Sequence, residues 1–173
     1  LCNVLDPGIA VAFSSASNEL RMLTQALLQQ LKAEHEVAAA LSSKLGMRSC
    51  KELREAKKVQ TTPFAFPRPK GLSAADLATL GSLGSVLPAL EQLCLIRPAA
   101  ARDGLQRLAE GLSAGALPAV TLLNLNSMHV GDAGASALSA ALGRGALPRL
   151  KFLQLRKTAI GDAGLVALAP ALR

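Results

Sequence analysis

The side chains best suited to catalysis or metal binding are few in this chain and lie far apart. The two histidines are His35 and His129, and the three cysteines are Cys2, Cys50 and Cys94. A zinc site needs several such ligands close together, and nucleophilic catalysis needs a base within reach of the nucleophile. The sequence contains no Ser/His/Asp set, paired acidic motif, P-loop or metal-ligand spacing. We therefore expect no catalytic residue, metal or cofactor, and a buried or idle role for these five side chains.

The cysteine count and the charge balance restrict the compartment and the partners. Three widely separated cysteines argue against a disulfide framework and predict a reducing, intracellular compartment. The net charge of +7 comes without a dense basic stripe, which favours solubility and an acidic partner. The aromatic residues that single-strand nucleic-acid binders use for stacking are missing, and no apolar run reaches the roughly 18 residues of a membrane span. We expect a protein partner rather than nucleic acid, a cofactor or a membrane.

The strongest pattern in the chain recurs every thirty residues. A Gly-Asp-Ala-Gly motif occupies residues 131–134 and 161–164, and pairs of leucines stand at positions 93 and 95, 123 and 125, and 153 and 155. Such self-similarity is typical of a solenoid. Leucines that alternate with polar residues predict a short strand, and leucines at i, i+3 and i+7 after the motif predict a helix. We predict strands near 90–96, 120–126 and 150–156 within a repeat region over 72–173, and we expect Asp162 to cap its helix.

Residues 1–71 do not follow this period. We predict an N-terminal segment over 1–60 with two helices, about 17–45 and 50–60, and a short strand or extended segment at Ile9–Phe13. Residues 61–71 contain three prolines and form a linker without helix. The basic second helix fits a solvated helical hairpin, a coiled coil with a partner or a DNA-binding helix-turn-helix. The hairpin is favoured, and DNA binding is disfavoured because the repeats already account for most of the chain.

At the repeats the chain resembles a known family. Leu150-x-x-Leu153-x-Leu155, followed by Ile-Gly-Asp-Ala-Gly and a helix rich in alanine and leucine, is similar to the leucine-rich repeat superfamily, particularly its ribonuclease-inhibitor type. The resemblance covers residues 72–173. It implies an α/β fold, a solenoid with short parallel strands inside and helices outside, preceded here by the α-helical hairpin region. The family pattern expects asparagine where Pro98, Met128 and Thr158 stand, and only Thr158 can replace part of its hydrogen bonding.

The resemblance also implies that partners bind the concave face, which is formed by the strand side chains opposite the core leucines. With Lys157 at the rim, the expected set runs in three columns: Gln92, Leu122 and Phe152; Cys94, Asn124 and Gln154; and Ile96, Asn126 and Arg156. Phe152 beside Asn126 and Arg156 has the composition of a binding hot spot. The alternative is that Phe152 and its apolar neighbours pack against the N-terminal segment folded into the groove.

Three functions fit these observations. The leading hypothesis is a non-catalytic protein-interaction scaffold. The second is a regulator of a small GTPase, because Ran GTPase-activating proteins are similar repeat arrays with comparable Ile-Gly-Asp sequences at their helix starts. The third is a structural subunit of a larger assembly, held through its last repeat and its basic helices. Solenoid ends normally carry a polar cap, so the apolar segment before Arg173 favours either this third function or a fragment of a longer repeat array.

Overall fold

The computed structural model describes residues 7–61, 72–96 and 103–172. The chain folds as two compact units, residues 1–37 and 38–173. Apart from Thr61, the linker predicted over 61–71 lies outside the described residues, as do Cys2 and Pro98. In the part that is described, no helix combines the length and apolarity needed to cross a membrane.

The first helix, α1, spans Pro7–Lys44. It ends one residue from the predicted end but begins ten residues before the predicted start, so the strand or extended segment predicted at Ile9–Phe13 is wrong. Proline is tolerated in a first helical turn because its missing N–H would have no intrahelical partner there. No described strand pairs with residues 9–13, and without such pairing the high helix propensity of their alanines favours helix.

The second helix, α2, is shorter than predicted because its last residues form a strand. It spans Cys50–Glu55, and the Ser49 side chain accepts a hydrogen bond from the N–H of Glu52. The prediction of helix up to residue 60 is wrong: Lys58–Gln60 is strand β1. Val59 is β-branched and buried, and the Lys57 carbonyl accepts the N–H groups of Glu91 and Gln92. Pairing with the next strand outweighs helix propensity here.

Four short parallel strands form one sheet in the order β1-β2-β3-β4. After β1 these are β2 (Gln92–Cys94), β3 (Leu122–Asn124) and β4 (Phe152–Gln154), which lie inside the three predicted segments. Leu93, Leu123 and Leu153 are direct register partners, so the predicted leucine ladder is confirmed. The fold is α/β with a parallel sheet of four strands, one more than the repeats predicted.

Helices alternate with these strands and pack against one another in sequence order. They are α3 (Ala74–Ser82), α4 (Gly104–Gly111), α5 (Gly131–Gly143) and α6 (Asp162–Leu168), with 3-10 turns after α3 and α6. Their leucines and those of the strands form one apolar core. Gly81 and Gly111 allow α3 and α4 to approach closely, because an added Cβ at Gly81 would lie 2.4 Å from the carbonyl oxygen of Leu108.

The repeated Gly-Asp-Ala-Gly motif joins consecutive repeats. Oδ1 of Asp132 accepts hydrogen bonds from the N–H groups of Gly161, at 2.7 Å, and Gly164, at 3.1 Å, which are thirty-residue neighbours of its own motif. The expectation that Asp162 caps its own helix is wrong, since that helix has Gly161 as its N-cap and no side-chain cap bond. The aspartate of the preceding repeat satisfies the helix end instead. The motif is therefore a structural link between neighbouring repeats.

The last turn of α1 is tied to the start of α3. Nζ of Lys44 lies 2.7 Å from Oδ1 of Asp76, and Asp76 also forms a capping box with Ser73. Burial raises the pKa of the Asp76 carboxyl, but hydrogen bonds from Lys44 and Ser73 outweigh it and hold the pKa below its ordinary value of 3.8. The capping box explains why α3 begins at Ala74, and the bond to Lys44 connects this helix start to α1.

Candidate functional site

The strands place a row of side chains on the side of the sheet opposite the leucine core, because successive strand residues point to opposite faces. We call this surface the strand face. The register aligns Gln92, Leu122 and Phe152 in one column and Cys94, Asn124 and Gln154 in the next, as predicted. Strand β1 adds Lys58 and Gln60 to these columns. The alternation of polar residues around Val59 was the signal in the sequence that could have revealed this extra strand.

Accessibility on the strand face increases towards β4. Phe152 is 61% exposed, and Gln154, Arg156 and Lys157 are exposed beside it. Five other residues of the predicted set are half-buried: Gln92, Ile96, Leu122, Asn124 and Asn126. The Phe152 ring is open to solvent. The part of the predicted site available to a partner is therefore concentrated around the last strand.

The structure corrects the expectation that Cys94 is exposed on the concave face. It occupies a strand-face position but is only 7% exposed, because its small side chain lies between the longer Gln60 and Asn124 in the register. Burial raises the pKa of the Cys94 thiol, partly offset by the nearby charge of Lys58. Cys94 is thus an enclosed side chain that offers little surface on the strand face.

Amide side chains order the exposed end of the strand face. Oδ1 of Asn126 accepts a hydrogen bond from the N–H of Arg156 at 2.8 Å, while its Nδ2 donates to Oε1 of Gln154 at 3.2 Å. Oδ1 of Asn124 in turn accepts from the N–H of Asn126 at 3.0 Å. These bonds fix the amides and the backbone that carries Arg156. The sequence showed the thirty-residue spacing of Asn126 and Arg156, but not that one bonds the other.

The turns that follow β3 and β4 share an unusual backbone. Ser127 and Lys157, thirty residues apart, have φ of 60° and 55°, a region that non-glycine residues rarely adopt. The N–H of Ser127 donates to the carbonyl of Arg156 at 2.8 Å, which joins the two turns. Oγ1 of the buried Thr158 donates to the carbonyl of Leu155 at 2.8 Å, so its expected role in the turn is confirmed. Met128 is buried and contributes only backbone bonding.

The two turns enclose a shallow cleft of about 240 Å³ lined by Asn126, Ser127, Arg156 and Lys157. We call it the basic cleft. Within the described residues, neither Arg156 nor Lys157 forms an ion pair with a carboxylate. The cleft therefore presents two cationic side chains, one amide and one hydroxyl to whatever occupies it.

The residues first considered for catalysis or metal binding do not come together. Across residues 7–61, 72–96 and 103–172, no group of three or more His, Cys, Asp or Glu side chains is placed to hold a metal ion. His35 and His129 are both exposed, and Cys94 is a buried thiol. The chemistry that the described surface offers is contact through hydrogen bonds, charge and one aromatic ring.

Comparison with known proteins identifies the last repeat. No curated protein matches the chain. A family model described as a leucine-rich repeat matches residues 147–169, which contain β4 and all of α6. Residues 147–169 are therefore assigned as a leucine-rich repeat, a kind of module associated with protein interaction.

Proposed function

We propose that this chain is a non-catalytic scaffold that binds a protein partner through the strand face. The observation that carries the proposal is Phe152, a large aromatic side chain left 61% exposed on an ordered strand. Exposed aromatic rings beside arginine and polar groups are typical of interface hot spots, because they bury much area at low conformational cost. The hydrogen bonds of Asn126 hold the backbone next to this ring in place before any partner arrives.

We further propose that residues 72–173 form a solenoid of the ribonuclease-inhibitor type and that the strand face is its concave side. The support is the repetition of one set of contacts at an interval of thirty residues. The N–H of Thr121 donates to the carbonyl of Glu91, and the N–H of Lys151 donates to the carbonyl of Thr121, each at 2.9 Å. Units that bond their neighbours identically stack in one direction.

We also propose that the protein resides in a reducing, intracellular compartment. Cys94 forms no disulfide within the described residues, and its burial limits its oxidation. Absence of a cofactor and of nucleic acid among the partners is likewise proposed. The support for excluding nucleic acid is that Phe152 is the single aromatic residue on the described strand face, whereas single-strand binders stack successive bases on several rings.

Site-specific photo-crosslinking tests the proposed binding surface. A photoreactive amino acid replaces Gln154, which is exposed on the strand face, or as a matched control Ser136, which is exposed on α5. In cells that express the full chain, we expect discrete protein adducts from position 154 and none of the same size from position 136. Equal adducts from both positions, or none from position 154, would contradict binding through the strand face.

A second candidate, a structural subunit of a larger assembly, is favoured by the outer side of the last repeat. A cavity of about 520 Å³ beside β4 is lined largely by apolar residues, among them Leu142, Leu150, Leu153 and Leu172. Leu172 is exposed, whereas the strand leucines of earlier repeats are fully buried. A photoreactive residue at position 172 that captures a partner when position 154 does not would favour this candidate over the scaffold.

A further inference from the structure

The strands and the helices α3 to α6 carry net charges of opposite sign. Residues 57–61, 91–96, 121–128 and 151–158, which form the strands and their adjoining turns, contain one acidic residue, Glu91, and five basic ones: Lys57, Lys58, Lys151, Arg156 and Lys157. Residues 73–82, 103–111, 131–143 and 161–168, which form α3 to α6, contain one basic residue, Arg107, and five acidic ones: Asp76, Asp103, Glu110, Asp132 and Asp162. Arg144, the C-cap of α5, adds one further positive charge on this side. The overall positive charge of the chain conceals this segregation.

The acidic residue on the strand side is itself engaged. Oε1 of Glu91 lies 3.5 Å from Nζ of Lys57, at the end of the sheet away from Phe152. On the helix side, Asp76 bonds Lys44 and Asp132 bonds backbone N–H groups. The positive potential around β4 therefore has no compensating carboxylate among the described strand residues. A field of this kind steers an oppositely charged partner to one face and away from the other.

The basic cleft lies past the end of the strand that carries the exposed aromatic ring. Arg156 and Lys157 are two and three residues beyond the last residue of β4, and the left-handed backbone of Lys157 turns the chain at that point. Asn126 uses both its Oδ1 and its Nδ2 in bonds to neighbouring residues, so its amide orders the cleft. Arg156 and Lys157 remain available to a ligand because, within the described residues, neither forms an ion pair. Arginine and lysine beside an open cleft are suited to carboxylate oxygens, which arginine can bind with two parallel hydrogen bonds.

We propose that the partner presents an acidic segment rich in aspartate or glutamate to the strand face, with carboxylates seated at Arg156 and Lys157 in the basic cleft. This inference rests on the proposed function and names the chemical character of the partner. Phe152, in the strand that precedes the basic cleft, supplies apolar contact. The partner's segment therefore combines acidic residues with at least one apolar side chain.

Fluorescence anisotropy with the full chain tests this inference. The probe is a short synthetic peptide of alternating glutamate and leucine, compared with one in which glutamine replaces glutamate. We expect the glutamate peptide to bind and to lose affinity as salt is raised. The double variant Arg156→Gln, Lys157→Gln should weaken its binding about five- to tenfold, in line with two partly exposed charge contacts.

The matched control removes the same charge elsewhere. Lys51→Gln with Arg54→Gln changes two exposed residues of α2, and we expect less than about a twofold effect. Equal losses from both double variants, or equal binding of the glutamine peptide, would overturn the inference. Stronger binding of a single-stranded oligonucleotide through Arg156 and Lys157 would also overturn it. Thermal unfolding followed by circular dichroism establishes that each variant is folded.

The two proposals fail in different ways. A partner captured at position 154 whose binding is unaffected by Arg156→Gln, Lys157→Gln leaves the scaffold intact and overturns the acidic segment. Peptide binding that depends on these residues without any capture at position 154 overturns the scaffold and supports carboxylate recognition by the cleft.

Discussion

Leucines recur at regular spacing in two regions of this chain and lie in opposite environments. In the first unit, Leu20, Leu23 and Leu27 of α1 are 59–64% exposed. In the second unit, the strand leucines Leu93 and Leu123 are at most 1% exposed. Both regions satisfy the periodicity of an amphipathic element. The difference is that each strand leucine has a neighbouring repeat to cover it, which a single helix does not provide for itself.

The same contrast occurs within α1. The apolar side chains described in its first-unit part, among them Met22 and Val37, are exposed, whereas Leu41, in the second unit, is buried. Leucine at helical spacing therefore marks a surface that can be buried, and only a second element decides whether it is. The coiled coil with a partner helix stays a prediction for the exposed part of α1.

The largest expected effect comes from truncating a ladder leucine. Leu123→Ala should lower the free energy of unfolding by about 3 kcal/mol, because it removes a fully buried side chain between two repeats and leaves a cavity. Leu23→Ala in α1 should change it by less than about 0.5 kcal/mol, since that side chain is already in water. Urea unfolding followed by circular dichroism measures both. Similar losses from the two variants would contradict the contrast between the regions.

A smaller effect is expected where two helices of the repeats meet. Gly81→Ala should cost about 2 kcal/mol, because the new Cβ would overlap the backbone of α4 and force the helices apart. Gly143→Ala at the end of α5 is the matched control, with open space around its added Cβ, and should stabilise by up to about 0.5 kcal/mol. The comparison uses thermal midpoints, and a stabilising Gly81→Ala would disprove the close packing of α3 and α4.

Next in size is the polar link between α1 and α3. Asp76→Asn should cost about 1 kcal/mol at neutral pH, by weakening the capping box and the bond to Lys44. Asp162→Asn, an exposed first-turn aspartate without a side-chain cap bond, should cost less.

The pH dependence of this link has a definite sign. The folded pKa of Asp76 lies below its ordinary value, so its stabilisation is complete above about pH 4 and is lost as the pH falls through the lowered pKa. The difference between the wild type and Asp76→Asn should therefore narrow in acid, as urea titrations at neutral and acidic pH will show. A gap that widens in acid would contradict this assignment.

The smallest change in stability is expected at the proposed interface. Phe152→Ala should alter the free energy of unfolding by less than about 0.5 kcal/mol, because the ring is exposed, yet reduce capture at position 154 at least about tenfold. Val166→Ala, equally exposed on α6, is the control and should leave capture unchanged. A large stability loss with unchanged capture would make Phe152 a structural residue instead.

Much of the second unit follows from local patterns, while the rest depends on pairing. The leucine positions predicted the strands and their register because a period of thirty admits one alignment of the ladder. Strand β1 was missed because Glu, Ala and Lys before Val59 favour helix locally, and only hydrogen bonds to β2 make the strand preferable. Cys94 was expected both among the buried or idle cysteines and on the concave face; it is buried, and Gln60 of that strand lies beside it.

By itself, the sequence determined the repeat, its leucine core and the columns of the strand face, because alternation and period are properties of the chain alone. Only the tertiary structure decided which leucines are covered, that Asp132 bonds the next repeat and that Arg156 and Lys157 line a cleft beside Asn126. These features depend on groups thirty residues apart. Their energies arise when neighbouring units meet, and no local propensity contains them.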